Sequence, residues 1–166
     1  MSFVEKWKDM VTKKKSWVEK LSNDKGLPKV DEMTERMRMR WGAGTVVIPA
    51  PKEVDELMKQ VPKGRLTTIN SIREALAKKH GATIGCPFTT GIFAWIAANA
   101  AEELREKGET EITPYWRTLK AGGKINEKYP GGVEAQMKLL EGEGHRVLRR
   151  GRELIVDQYE KSLMAV

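Results

Sequence analysis

Residues 68–104, TINSIREALAKKHGATIGCPFTTGIFAWIAANAAEEL, decide the fold class. Thr68 can cap a helix in which Ile69, Ile72, Ala75 and Leu76 share a face. Lys78-Lys79-His80-Gly81 then supplies cations and a glycine stop where the last carbonyls of such a helix lack partners. Beyond a loop, Thr89 or Thr90 offers a second cap for a long helix carrying Ile92, Phe93, Ile96, Ala100 and Leu104 among small alanines that permit close packing. Helix, connection and helix read as a helix-turn-helix, with the connection 81–88 longer than a minimal turn.

Upstream, Pro51 suits the first turn of a helix with Val54, Leu57, Met58 and Val61 on one side, and Val61-Pro62-Lys63-Gly64 turns the chain. The segment 22–51 is rich in Gly, Pro, Met and charge, so it reads as a linker with one short helix near 31–39. Met33, Met37 and Trp41 there form either an adaptable binding stripe or a packing stripe. Before it, Phe3, Trp7, Met10, Val11, Trp17, Val18 and Leu21 mark an amphipathic helix with Ser2 as a cap, expected to dock on the main domain. Downstream, 119–132 is Gly- and Lys-rich and suggests a hairpin or wing, 133–143 a helix, and 145–156 a small hairpin around Arg149-Arg150-Gly151-Arg152. The expected fold is mainly α with a small β hairpin, a winged helix-turn-helix-like DNA-binding domain with an N-terminal helical extension. The expected divisions are 1–44, 45–150 and a 151–166 tail.

Composition narrows the partners. Lys and Arg number 30 against 23 Asp and Glu, a formal charge of +7, which favours polyanions such as nucleic acid. Cys86 is the only cysteine, excluding an intrachain disulfide and a cysteine-cluster metal site. His80 and His145 stand apart without metal-ligand spacing, so no cofactor is expected. Neither a secretory signal nor a membrane span of roughly 20 apolar residues is present, and a cytoplasmic location is expected.

Five segments in order carry a resemblance: Val61-Pro62-Lys63-Gly64-Arg65-Leu66-Thr67-Thr68, Asn99, Pro114-Tyr115-Trp116-Arg117, Tyr129-Pro130-Gly131-Gly132, and Leu139-Leu140-Glu141-Gly142-Glu143-Gly144-His145. Together they resemble the C-terminal DNA-binding domain of the alkylguanine-DNA alkyltransferases and their non-enzymatic alkyltransferase-like relatives. The resemblance implies a helix-turn-helix in the minor groove, an extruded nucleotide and, in the enzymes, a cysteine in a Pro-Cys-His-Arg motif that accepts the alkyl group. Here Tyr115 and Trp116 stand at the cysteine and histidine positions. A phenol with a reference pKa near 10 is a poor substitute for a thiolate, and indole has no acid-base group in this range, so alkyl transfer is not expected.

The resemblance therefore implies a binder of alkylated or distorted double-stranded DNA with a base pocket of Pro114, Tyr115, Trp116, Arg117, Tyr129 and Glu143. The three aromatic rings either line that pocket or fill it. Lys63, Arg65, Thr89, Thr90, Gly91, Asn99 and Lys124 are the expected DNA-contacting residues, with Lys120 beside them. Ile69 stands where the family's phosphate-rotating tyrosine aligns and Thr90 where its arginine finger aligns, which bears on base extrusion. Two other readings stand beside this one. The first is a protein-interaction or self-associating module that keeps the fold but has lost base flipping, with the tryptophan-rich N-terminal helix and the methionine-rich linker as its contact surface. The second is an unrelated enzyme using Tyr115 with Glu143 or His145.

Overall fold

A computed structural model of the chain describes residues 2–6 and 15–166. Its regular elements are α1 (Trp17–Ser22), β1 (Lys29–Glu32), α2 (Glu35–Trp41), β2 (Thr45–Ile48), α3 (Pro51–Lys59), β3 (Thr67–Thr68), α4 (Ile69–His80), β4 (Ile84–Gly85), α5 (Pro87–Glu106), β5 (Thr118–Leu119), α6 (Gly132–Gly142), β6 (Val147–Arg150) and β7 (Glu153–Val156). Single 3-10 turns occupy Tyr115–Arg117, Ala121–Gly123 and Tyr159–Ser162. The fold is mainly α with a few short strands, and no described helix is long and apolar enough to cross a membrane.

Local signals place the helical centre. Thr68 caps α4 by accepting from the Ser71 amide at 3.2 Å, and Gly81 ends it at φ 63°, a left-handed conformation that glycine adopts without strain. Pro51 opens α3, where its missing N–H has no helical partner to lose. α5 begins four residues earlier than the Thr90 cap would require: Cys86 is the N-cap and Pro87 the first helical residue. The Thr90 hydroxyl, fully buried, instead donates to the Cys86 carbonyl at 2.6 Å. Phe93, Ile96 and a row of alanines on α5 then pack with Val54, Met58, Ile72 and Leu76 of α3 and α4.

The 22–51 segment departs from the linker expected of it. β1 and β2 pair antiparallel from Lys29↔Ile48 to Glu32↔Thr45, and β2 pairs parallel with β4 through Val46↔Ile84 and Val47↔Gly85. The signal was hidden because all four β1 residues are exposed, so no alternation of apolar and polar residues marks the strand. Met33, Met37 and Trp41 face inward against Val46, Ile84 and Cys86. The 119–132 segment likewise forms no paired hairpin: Thr118–Leu119 runs parallel to Thr67–Thr68, followed by a 3-10 turn and single bridges. The C-terminal hairpin is present as β6 and β7, paired from Val147↔Val156 to Arg150↔Glu153.

The N-terminal arm docks on the domain through its described part. Ser16 caps α1, the Trp17 ring meets the edge of Trp95 at 4.8 Å, and the Glu103 carboxylate accepts from the Trp17 amide at 3.0 Å. A single continuous helix from Phe3 is not formed, since residues 15 and 16 are not helical and Ser16 is extended. Trp7, Met10 and Val11 lie outside the described residues.

Close approach of β4 to α4 yields a test of this architecture. A Cβ at Gly85 would lie 2.6 Å from the Arg73 carbonyl oxygen and 3.0 Å from its Cα, both backbone atoms with little freedom to yield. Gly85→Ala is therefore expected to destabilise the protein by about 1–3 kcal/mol, as overpacking does, measured as a lowered urea midpoint at unchanged slope.

Candidate nucleic-acid interface

Pro114 and the 3-10 turn Tyr115–Arg117 follow α5 and lie against the C-terminal end of α6. At this junction the Glu143 carboxylate collects four donors. Arg117 reaches it through Nε at 2.9 Å and Nη2 at 2.9 Å, Trp116 Nε1 at 2.7 Å, and the Gly64 amide at 3.2 Å. Arg117 Nη1 also donates to the Val61 carbonyl at 2.7 Å, so the turn before α4, the acceptor-like motif and α6 share one polar knot. Burial pushes the Glu143 carboxyl up, but the bonds from Arg117, Trp116 and Gly64 outweigh it and hold the group below the usual carboxylate range.

Tyr115 faces inward and is 1% exposed. Its hydroxyl donates to Glu102 at 2.7 Å rather than to Glu143, and its ring meets Trp116 and Tyr129 edge-on at 5.3 Å each. Burial, followed by the bond to Glu102 and that carboxylate's charge, raises the phenol far above its ordinary value. Tyr129 is 2% exposed and donates to the Thr118 carbonyl at 3.2 Å, and burial raises it too. The three rings thus pack edge-on against one another. Burial pushes His145 down, and its Nε2 has no hydrogen-bond partner among the described residues. The chemistry proposed for Tyr115 with Glu143 thus lacks the contact it needs, because the two residues bind different partners.

The other expected contact residues are dispersed. Lys63 is exposed in the turn before β3. Arg65 is exposed but donates to the Ser162 and Leu163 carbonyls at 3.0 and 2.8 Å, clasping the C-terminal segment. Thr89 is 4% exposed, with a hydroxyl lacking a partner among the described residues. Asn99 donates to the Trp95 carbonyl of its own helix at 2.9 Å, and Lys124 pairs with Glu153 at 2.9 Å.

Gly91 alone of that set lines a cleft of about 670 Å³ between the start of α4, the first turns of α5 and the 120–128 loop. Ile69, Phe88, Ile92 and Trp95 give it apolar walls, and Arg73, Lys120 and Lys128 give it cations. Glu127 is its single carboxylate and is paired with Lys120 at 3.3 Å. Phe88 is 70% exposed, an unusual position for a phenyl ring at a helix start. Phe88, Ile92 and Trp95 at i, i+4 and i+7 form a second apolar stripe on α5 that the core-facing series Phe93, Ile96 and Ala100 obscures in the sequence. That spacing was the available signal for the cleft. The indole of Trp95 is held at one edge by Trp17, leaving the ring part of the cleft wall.

Neither a protein-family profile nor a curated protein sequence matches the chain. Among solved structures it is similar to S. pombe Atl1 in complex with damaged DNA containing O6-carboxymethylguanine, at 16% identity and TM-score 0.45, over 69% of this chain and 93% of that one. A second is S. pombe ATL in complex with DNA, at 18% identity and TM-score 0.46, with the same two coverages.

The Glu143 knot predicts a stability effect with a defined pH sign. Glu143→Gln removes the charge that neutralises a largely buried Arg117, so a loss of about 3 kcal/mol is expected at neutral pH by urea denaturation. Because the folded carboxyl lies below its unfolded value, its contribution is present above the ordinary carboxylate range and disappears as pH falls through the folded value. Acidification should accordingly narrow the gap between wild type and variant.

Proposed function

We propose that this protein is a non-enzymatic DNA-binding protein of the alkyltransferase-like type, which holds duplex DNA from the minor-groove side across α4 and α5 and receives an alkylated or otherwise displaced base in the cleft lined by Trp95. The observation that carries this reading is the cleft itself: apolar walls with an indole, a cationic rim, and a position between the two helices of the helix-turn-helix pair. An extruded base needs a flat apolar partner, and stacking on an aromatic ring is worth about 1–3 kcal/mol. The order of motifs from Val61 to His145 supports the same reading.

The base site assigned here differs from the aromatic knot at Pro114 to Arg117. Tyr115, Trp116 and Tyr129 belong to the same apolar cluster as Ile92 and Trp95, and Arg117 pairs with Glu143 beside them. Lys63, Lys120 and Lys124 flank the helix pair as backbone-facing cations, and Gly91 lets the backbone of α5 approach the ligand closely. Alkyl transfer has no acceptor in this arrangement: Tyr115 is protonated and internally bonded, and Cys86 is 6% exposed at the head of α5, packed with Met33 and Val46. In the interaction-module reading, Trp17 is not a free contact residue, because its ring packs on Trp95 of the same chain.

Titrating the protein with matched duplexes that contain or lack O6-alkylguanine tests the proposal. Binding should be salt-sensitive on both and tighter on the alkylated duplex, and the intact mass of the protein should not change after incubation. Trp95→Ala should weaken binding to the alkylated duplex by about 1–3 kcal/mol. Phe88→Ala, at an exposed position where folding is little affected, should reduce the same preference. A protein that binds neither duplex at modest salt would sink the proposal.

A further inference from the structure

The β1–α2–β2 unit lies outside the segments that carry the resemblance, yet it reaches the edge of the cleft. Met33, Met37 and Trp41 point inward, which turns Arg36, Arg38 and Arg40 outward on the short α2 helix. The Arg40 guanidinium carbon lies 4.9 Å from the centre of the Trp41 ring, and that of Arg73 lies 5.8 Å from the same centre. Arg73 belongs to α4 and lines the cleft. Its position is set by three neighbours: Nε donates to the Gly85 carbonyl at 3.0 Å, Nη1 to Asn70 at 3.4 Å, and the indole packs alongside.

Two guanidinium groups thus share one aromatic ring, and neither forms an ion pair with a carboxylate among the described residues. Burial lowers Arg73 from its ordinary value and the neighbouring Arg40 charge adds to that, outweighing Cys86 and Glu74, which act in the opposite direction. Arginine presents planar donors suited to phosphate oxygens, and stacking on indole pre-orders it for such a contact. We propose that Arg40 and Arg73, set by Trp41, form an anchor for one phosphate of the DNA backbone, beside the cleft and contributed jointly by the β1–α2–β2 unit and α4. The anchor rests on the DNA-binding reading above and adds a contact beyond the helix pair. It is indifferent to sequence and to damage, because it meets only the backbone.

The test uses the full-length protein and an undamaged and an alkylguanine duplex, with affinity measured over a range of salt concentrations. Removing one phosphate contact should lower the magnitude of the log K against log salt slope by about 0.9. Arg40→Gln is expected to do so equally on both duplexes, at an unchanged melting temperature, since Arg40 is exposed. Arg38→Gln, on the opposite side of the same helix turn, should leave the slope as it was. An unchanged slope in Arg40→Gln, with Trp95→Ala still weakening binding, overturns the anchor and leaves the DNA-binding reading in place. Absence of duplex binding by the wild type overturns both. Inorganic phosphate that raises the melting temperature of wild type but not of Arg40→Gln, with no change in the duplex slope, would assign the pair to a free anion and also overturn the anchor.

Discussion

The Glu143 carboxylate is the constraint around which this domain is arranged. A charge removed from water must be matched by donors, and here they come from Gly64, Trp116 and Arg117, which belong to two segments far apart in the chain. The bonds fasten the end of α6 to the turn before α4 and to the 3-10 turn after α5. Trp116 packs against both major apolar clusters, so the knot also joins the core around α5 to the one around Leu66, Leu119 and Leu140. The side-chain polar atoms of Tyr115, Trp116 and Arg117 are all engaged in hydrogen bonds within the fold.

How much of this was legible in the sequence follows from whether each feature is local or distant. α3, α4 and the C-terminal hairpin were readable because caps, apolar period and glycine stops lie within a dozen residues. Pro87 also marked the true start of α5, but two threonines further along offered a competing cap. β1, β2 and β4 were not readable, because a four-residue exposed strand and a two-residue strand are defined by partners elsewhere in the chain rather than by their own pattern. The sequence shows Tyr115 and Trp116 side by side after Pro114. The direction those rings face was not legible, since an aromatic residue serves equally well as pocket wall or as filling until its hydroxyl is seen to meet Glu102.

Trp95 shows how one side chain links the levels of this structure. Its place on α5 sets it between the core face and the outer stripe, Trp17 of the arm fixes one edge, and its remaining surface belongs to the cleft. The arm thus stabilises the cleft wall. Glu103 reinforces this by accepting from the first amides of α1, at Trp17 and Val18, where a carboxylate is favoured by the helix dipole.

The disposition of charge gives the cleft its sign. Glu53 caps α3 and takes His80 and Lys79, Asp55 holds Thr113 and Lys59, Glu102 holds Tyr115 and Arg105, and Glu143 forms the knot. These carboxylates are committed to the interior architecture. Arg36, Arg40, Lys63, Arg73 and Lys128 have no carboxylate within ion-pair distance among the described residues, and two of them line the cleft. A net charge of +7 is in itself a weak argument for nucleic acid. It becomes a directional one where unpaired cations border an apolar opening, because a polyanion can neutralise that rim while an apolar group displaces water from the walls.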